Sequence, residues 1–246
     1  KAACHHASRY FLLNNRGAIA PGYLGDFVII DNFNDFNIEM VFKRGELMYD
    51  GQLRDFPTPE IDPYLVKRVH DTFHLAKLTA EDFKDGRPHA IIGLVPGEII
   101  SEDAGYIDHI DVEYDILKVA VIERHKNTHH IGLGYIKGYG LKSGAVATSI
   151  SHDSHNIIVV GTNEEEMAAA ANRIVENHGG ITVMKNGNVL GEVTLAIAGI
   201  MSDDPLVMVN SALESAKDEA FRLGVSRDID PFMTLSFMAL PVIPTL

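Results

Sequence analysis

The chain has 246 residues, a formal net charge of −13 and one cysteine, Cys4. Because 34 acidic residues outnumber 21 Lys and Arg, the chain lacks the positive charge that nucleic-acid backbones and anionic membranes attract, and we expect neither partner. No apolar run reaches the ~18 residues of a membrane span, and one cysteine excludes an internal disulfide, so we expect a globular protein of the cytoplasm.

The first part of the chain reads as one helix and a few short strands. Residues 2–13 predict a helix, residues 19–31 a strand after a Pro-Gly turn, and residues 39–51 a hairpin that turns at residues 43–45. A proline-rich stretch, residues 52–63, is the best linker candidate. So small a hairpin buries little by itself, and we expect it to complete a sheet supplied by a segment outside the chain.

The second part alternates strand patterns with glycine-rich turns and ends in helical patterns. A helix over residues 164–177 is capped by Thr162 or Asn163, and a helix over residues 205–223 starts with an Asp cap inside residues 201–205. Strands are predicted for residues 116–122, 145–150, 181–184 and 189–195. The sequence therefore predicts an α+β fold in which helices pack on mostly antiparallel strands.

Residues 151–156 read Ser-His-Asp-Ser-His-Asn and are the most informative stretch. Apolar runs precede and follow them, so they form the connection between two buried strands. In an extended backbone Asp153 and His155 share a face, whereas in a tight turn His152 and His155 converge. Either arrangement supplies two members of a metal site or of an acid/base pair. The alternative is a polar turn with hydrogen-bonded Asp and Ser.

Polar residues Glu123, Arg124 and His125 follow another apolar strand. They indicate a cleft, or alternatively a solvated strand end with an Arg–Glu pair. If the two strands are neighbours, this cluster lies beside residues 151–156. The nearby His129 and His130 are better explained as exposed loop residues than as metal ligands. The glycines of residues 132–140 fit a strand or hairpin rather than a phosphate-binding loop.

The chain resembles the C-terminal portion of the bacterial adenine deaminase family of the amidohydrolase superfamily. Residues 16–22 and 25–31 look like the segment where amidohydrolases return from the last barrel helix to their small β-sandwich. Four further segments together resemble the extra C-terminal domain of adenine deaminases: residues 121–125, 151–156, 198–202 and 230–244.

This resemblance implies an α+β fragment of a composite β-sandwich plus a C-terminal α+β domain. Residues 1–57 would be the last barrel helix and the sandwich return, and residues 58–246 the C-terminal domain. The implied reaction is the hydrolysis of adenine to hypoxanthine and ammonia at a divalent metal, manganese or iron. The main ligands of this metal are expected upstream of Lys1, in a barrel segment that would be a partner of this chain. The whole protein is expected to form a homo-oligomer. The family's last strands would lie beyond Leu246.

Three hypotheses follow for the role of the chain. In the first, it is part of an adenine deaminase and supplies site residues, while the fragment alone is inactive. In the second, it is a non-catalytic structural, lid or dimerisation module. In the third, it is an autonomous metal hydrolase that uses His125, His152, Asp153 and His155. For the first hypothesis, the candidate catalytic residues are His152, Asp153 and His155, and the candidate substrate-binding residues are Glu123, Arg124, His125, Ser151 and Asn156.

Overall fold

A computed structural model describes residues 1–55 and 59–240. The chain divides into two compact units, Lys1–Glu60 and Ile61–Leu246. This division falls inside the predicted linker, and in the described residues no sheet contains strands from both units. The assignment of residues 1–57 and 58–246 to particular parts of a parent enzyme stays a prediction. Residues 56–58 of the linker and residues 241–246, which include the end of the 230–244 segment, lie outside the described residues.

The first unit begins with a π-helical turn, Ala2–His6, that continues into helix α1, Ala7–Tyr10. The helix ends before residue 13, where it was predicted to end, because the backbone at Leu12 turns to a left-handed conformation with φ of +57°. Three antiparallel strands follow in the order β1-β2-β3. They are β1 Phe27–Ile30, β2 Ile38–Lys43 and β3 Glu46–Tyr49.

The hairpin of β2 and β3 turns at Arg44 and Gly45, as predicted. Both residues have positive φ, +54° and +83°, which matches the tight turns that join antiparallel strands. The small sheet leaves a cavity of about 690 Å³ lined by apolar residues that include Val41, Met48 and Leu53. A three-stranded sheet with such an open apolar surface is consistent with the expectation that another segment completes it.

The second unit contains four α-helices, one short 3₁₀ helix at Ala80–Phe83 and eight strands within its described residues. The helices are α2 Pro63–His70, α3 Glu164–Glu176, α4 Leu206–Arg222 and α5 Pro231–Met238. The strands are β4 His89–Leu94, β5 Ser101–Ile107, β6 Ile116–Ile122, β7 Ile131–Lys137, β8 Ala145–Thr148, β9 Ile157–Gly161, β10 Gly180–Lys185 and β11 Asn188–Thr194.

These eight strands form one sheet in the order β11-β10-β8-β9-β6-β7-β4-β5. Neighbouring strands are antiparallel, apart from the parallel pair of β4 with β7. Alternate residues of β8 and β9 join two different apolar clusters. Val146 and Ile158 face α4 and α5, whereas Ala147 and Val159 face α3. The prediction of an α+β fold with mostly antiparallel strands is confirmed.

The helix starts show where local sequence signals succeed and fail. Asn163 caps α3, since its side chain accepts a hydrogen bond from the backbone N–H of Glu166 at 2.8 Å. The predicted Asp cap of α4 is wrong, because the helix starts after Pro205 without a side-chain cap. Asp204 instead accepts a hydrogen bond from the Ser202 hydroxyl at 3.1 Å. In the described part of the chain, no helix is long and apolar enough to cross a membrane.

Candidate functional site

The register of the large sheet brings the two predicted polar clusters to the same edge. Ile122, the last residue of β6, pairs with Ile157, the first residue of β9. Thr148, the last residue of β8, pairs with Ile158. Residues 123–125 and the 151–156 loop therefore leave the sheet side by side, as expected if the two strands were neighbours.

Arg124 binds three separate backbone segments at this edge. Its Nε donates to the His155 carbonyl at 2.6 Å, Nη1 to the Thr72 carbonyl at 2.8 Å and Nη2 to the Ala198 carbonyl at 3.0 Å. The guanidinium also lies over the Phe73 ring, 4.2 Å from its centroid. Only 1% of Arg124 is exposed, and burial lowers its pKa to about 10, so the group is charged at neutral pH.

This geometry makes Arg124 a clamp between segments that are far apart in sequence. A planar fork of donors suits several acceptors at once, which an ammonium group does not. Most of its donors are directed at the protein's own carbonyl groups rather than into open space. The substrate-binding role of Arg124 stays a prediction, but the contacts that the structure shows are internal ones.

Glu123 organises the turn that follows β6. Its carboxylate accepts hydrogen bonds from the backbone N–H groups of His125 at 2.5 Å and Lys126 at 2.9 Å, and from the Thr128 hydroxyl at 2.8 Å. Burial opposes ionisation, but these hydrogen bonds and one from the Thr128 backbone outweigh it and lower the pKa of Glu123 to about 2. The carboxylate is therefore ionised in this turn, and its substrate-binding role stays a prediction.

His125 connects this turn to the 151–156 loop. Its Nε2 lies 2.8 Å from the Ser154 carbonyl, which accepts a hydrogen bond only, so Nε2 carries the proton in this contact. Together with the Arg124 contact to His155, this fixes two consecutive carbonyl groups of the loop. His129 and His130 are exposed, as predicted.

Three polar side-chain atoms of the 151–156 loop are buried without a hydrogen-bond partner among the described residues. They are Ser151 Oγ, His155 Nδ1 and Asn156 Oδ1. His155 also has a positive φ of +51°, which is uncommon for a residue other than glycine and is enriched at functional sites. Because each unpaired buried polar atom costs ~1–3 kcal/mol, this loop has unused capacity to bind a ligand or another chain segment.

His152 and Asp153 lie on the outer side of the loop. The side chain of Asp153 is 88% exposed, and its Oδ1 is 3.4 Å from His152 Nδ1. The His152 ring stacks on Phe237 of α5 with ring centroids 5.0 Å apart. The His152 backbone N–H donates to the Ser236 carbonyl at 3.1 Å, so the start of the loop is attached to α5.

A cavity of about 300 Å³ opens beside this stack, and we name it the His152 cavity. Its walls come from the segment that follows β8, from β10, from α4 and from α5. Its lining residues are Ile150, His152, Ile181, Leu213, Lys217, Asp230, Phe232, Met233, Ser236 and Phe237. Sequence reasoning singled out His152 but missed Ser236 and Phe237 as site residues, although they lie in the 230–244 segment.

No group of three or more His, Cys, Asp or Glu side chains that could hold a metal ion is present among residues 1–55 and 59–240. The Asp153 carboxylate lies on the solvent-exposed side of the loop, the His152 imidazole lines the His152 cavity, and His155 is half-buried. Of the eight candidate residues, the structure thus gathers all at one sheet edge, but it does not arrange them as a metal centre.

Comparison with known proteins identifies the family. The model of the family described as "Adenine deaminase C-terminal domain" matches residues 98–246. The chain belongs to the adenine deaminase family. Similar curated proteins include an adenine deaminase of Dehalococcoides mccartyi, 39% identical over 98% of this chain and 43% of that protein. An adenine deaminase of Petrotoga mobilis is 40% identical over 100% of this chain and 44% of its own length.

"Adenine deaminase 1" of Rhizobium johnstonii is 41% identical over 100% of this chain and 44% of its own length. The chain therefore spans less than half the length of the curated relatives it matches, and it corresponds to their C-terminal part. The family resemblance inferred from the sequence motifs is confirmed.

Proposed function

We propose that this chain is the C-terminal part of an enzyme that hydrolyses adenine to hypoxanthine and ammonia. The names of the relatives and their alignment with the whole chain support this reaction. A divalent metal, manganese or iron, would activate water when bound. The described residues do not offer a ligand set for it. We therefore assign the metal to residues upstream of Lys1 and derive no step of this chain through it.

The contribution of this chain is the 151–156 loop. The observation that carries this proposal is the combination of a loop backbone bonded by Arg124 and His125 with three buried polar atoms that have no partner among the described residues, Ser151 Oγ, His155 Nδ1 and Asn156 Oδ1. Such atoms gain hydrogen bonds when a base or the barrel segment approaches. Imidazole and carboxylate side chains are the commonest general acids and bases in enzymes, and the loop carries two of the first and one of the second in His152, His155 and Asp153.

The other partners proposed for the whole protein are the upstream barrel and a second copy of the same protein in the cytoplasm. Apolar side chains of the first turn of α4 support a self-contact, since Leu206 and Val207 are largely exposed. The single cysteine is exposed and unpaired, which suits a reducing compartment.

The proposal is tested by substitution in the full-length protein that carries this segment. We expect His155→Ala and Asp153→Ala each to lower the turnover of adenine by ~10²-fold or more, as for the loss of a group that transfers or orients a proton. The matched controls are Asp108→Ala and His109→Ala, because these two adjacent residues also form an exposed Asp–His pair, at 2.8 Å. The controls should retain turnover.

The competing hypothesis is a structural module, and the internal contacts of Arg124 and Glu123 favour it. Under this hypothesis the His155 and Asp153 variants keep near-normal turnover and metal content but unfold at a lower temperature. A second assay separates the autonomous hydrolase. The isolated 246-residue chain should release no ammonia from adenine, and metal-dependent release would favour a site built from His125, His152, Asp153 and His155.

A further inference from the structure

Helix α2 has an apolar face that the described residues leave uncovered. Leu65, Val66 and Val69 lie on one side of the helix. Leu65 is 49% exposed and Val66 is 40% exposed, and no residue of α2 is buried. Short amphipathic helices gain most of their stability by packing the apolar face against a partner. The exposed face of α2 therefore indicates a contact surface.

A second group of exposed apolar side chains lies at the start of α4. The turn at residues 197–201 leads to this helix, and it is attached to the end of α2, because the Ala198 N–H donates to the Val69 carbonyl at 2.6 Å. The two apolar groups are thus joined through this turn. We name them together the α2/α4 surface, which consists of Leu65, Val66, Met201, Leu206, Val207 and Met208, all of them exposed.

Charged side chains flank the α2/α4 surface with opposite signs on its two sides. Lys67 and Arg68 lie on α2, whereas Asp203 and Asp204 directly precede α4. All four residues are exposed, and none of them forms an ion pair in the part of the chain that the structure describes.

This arrangement is complementary to itself. In a twofold contact, residue i of one copy meets residue j of the other, and j meets i. The basic side of one α2/α4 surface then faces the acidic side of the other, with the apolar residues between them. The net charge of −13 repels a second copy at long range, but salt at about 0.15 M screens charges that are more than ~8 Å apart.

We propose that the α2/α4 surface is a twofold contact between two copies of this protein. Helix α2 of one copy packs on the first turn of α4 of the other, so that Lys67 and Arg68 of each copy face the two aspartates of the other. The apolar and charged groups of a second copy match those of the surface they cover. The inference gives a location to the self-contact proposed above, and it does not depend on the reaction.

The test is sedimentation-velocity ultracentrifugation of the full-length protein that carries this segment, over a dilution series. We expect a dimer that dissociates on dilution. The double variant Lys67→Glu, Arg68→Glu should raise the Kd of the dimer ~10-fold or more, because like charges then face each other across the contact. Adding Asp203→Lys and Asp204→Lys to this variant restores opposite charges and should recover most of the affinity.

Val207→Glu tests the apolar centre of the contact. It should raise the Kd of the dimer ~10²-fold, since a carboxylate without a partner is buried on association. Ile99→Glu is the matched control, because Ile99 is 57% exposed and precedes β5, at the sheet edge opposite to β11. Lys137→Glu controls for the change of charge, because Lys137 is also exposed. Both controls should dimerise like the parent.

The inference is overturned if the full-length protein is a monomer throughout the dilution series, because the α2/α4 surface then has another occupant. It is also overturned if Val207→Glu or the double variant dimerises as tightly as the parent, or if the charge swap does not restore the dimer. Ammonia release is measured separately. A monomer that deaminates adenine refutes this contact alone, whereas a dimer with the expected variant effects that releases no ammonia refutes the proposed reaction alone.

Discussion

Replacing Arg124 with Met tests the idea that one buried guanidinium holds the candidate site together. Methionine keeps much of the side-chain volume but removes all five N–H donors. The carbonyl groups of Thr72, His155 and Ala198 then lose their contacts to this side chain at the sheet edge. The 151–156 loop also loses one of the two hydrogen bonds that its carbonyl groups accept from the side chains of residues 124 and 125, the other being that of His125.

The expected loss of stability follows from these contacts. A hydrogen bond to a charged group contributes ~1.5–3 kcal/mol, but the desolvation of the buried guanidinium offsets part of the sum of three such bonds. A buried carbonyl group left without its partner costs ~1–3 kcal/mol, and for the three carbonyls together we expect Arg124→Met to cost ~3–5 kcal/mol. Arg124→Lys should recover less than half of the loss, because an ammonium group cannot reach three carbonyls in a fork.

The measurement is urea unfolding of the 246-residue chain at pH 7, followed by far-UV circular dichroism and by tyrosine fluorescence. Arg87→Met is the matched control, because Arg87 is 75% exposed and its ion pair with Asp85 is at the surface, where we expect a change below ~0.5 kcal/mol. If Arg124→Met lowers the free energy of unfolding by less than ~1 kcal/mol, the clamp interpretation is refuted.

Three further predictions concern stability. The pKa of Glu123 is about 2 in the folded chain against an ordinary 4.5, so its ionised carboxylate stabilises the fold above pH ~4.5, and this stabilisation is lost as the pH falls towards 2. In Glu123→Gln, the urea concentration at the midpoint of unfolding should therefore lose this part of its dependence on pH. Lys118→Met should cost ~3 kcal/mol in the same assay, since it leaves the Glu164 carboxylate without the partner that Lys118 Nζ provides at 2.6 Å. Gly180→Ala should lower the melting temperature far more than Gly187→Ala, because its Cβ would lie 1.8 Å from the Val193 carbonyl oxygen, whereas Gly187 has open space.

Each of these predictions has a result that contradicts it. An unchanged acid profile in Glu123→Gln would mean that its hydrogen bonds contribute no stability. A Lys118→Met protein as stable as the parent would show that the buried ion pair only balances its desolvation. Equal melting temperatures for the two glycine variants would mean that the backbone near Gly180 relaxes around the new methyl group.

The strands and helices that sequence predicted well are those whose signal is local. Strand β6 is an uninterrupted apolar run apart from Lys118, which is buried because Glu164 neutralises it. Helix α3 carries its own Asn163 cap and three acidic residues in its first turn. Such elements need no distant partner to be recognised, and the structure places both within one or two residues of the predicted bounds.

The roles of individual residues at the site were harder to predict, because they depend on contacts across long sequence distances. Arg124 was predicted to bind substrate since it is charged and follows a strand. Its acceptors come from residues 72, 155 and 198, and nothing in the local sequence shows that these segments converge. The Asp cap of α4 failed for a different reason, since a nearby Ser202 hydroxyl is an alternative partner for the Asp204 carboxylate.

The two interpretations of the 151–156 loop, a polar turn and a functional site, are compatible in this structure. The turn exists, because the His155 N–H donates to the Ser151 carbonyl at 2.7 Å. Arg124 and His125 hold the loop through its backbone carbonyls and do not use its side-chain polar atoms. A loop stabilised in this way can keep His155 Nδ1 and Asn156 Oδ1 buried and unpaired, because the cost is met by contacts elsewhere. A preorganised site also requires side chains that are locked by packing, and in this loop the stacking of His152 on Phe237 is such a contact.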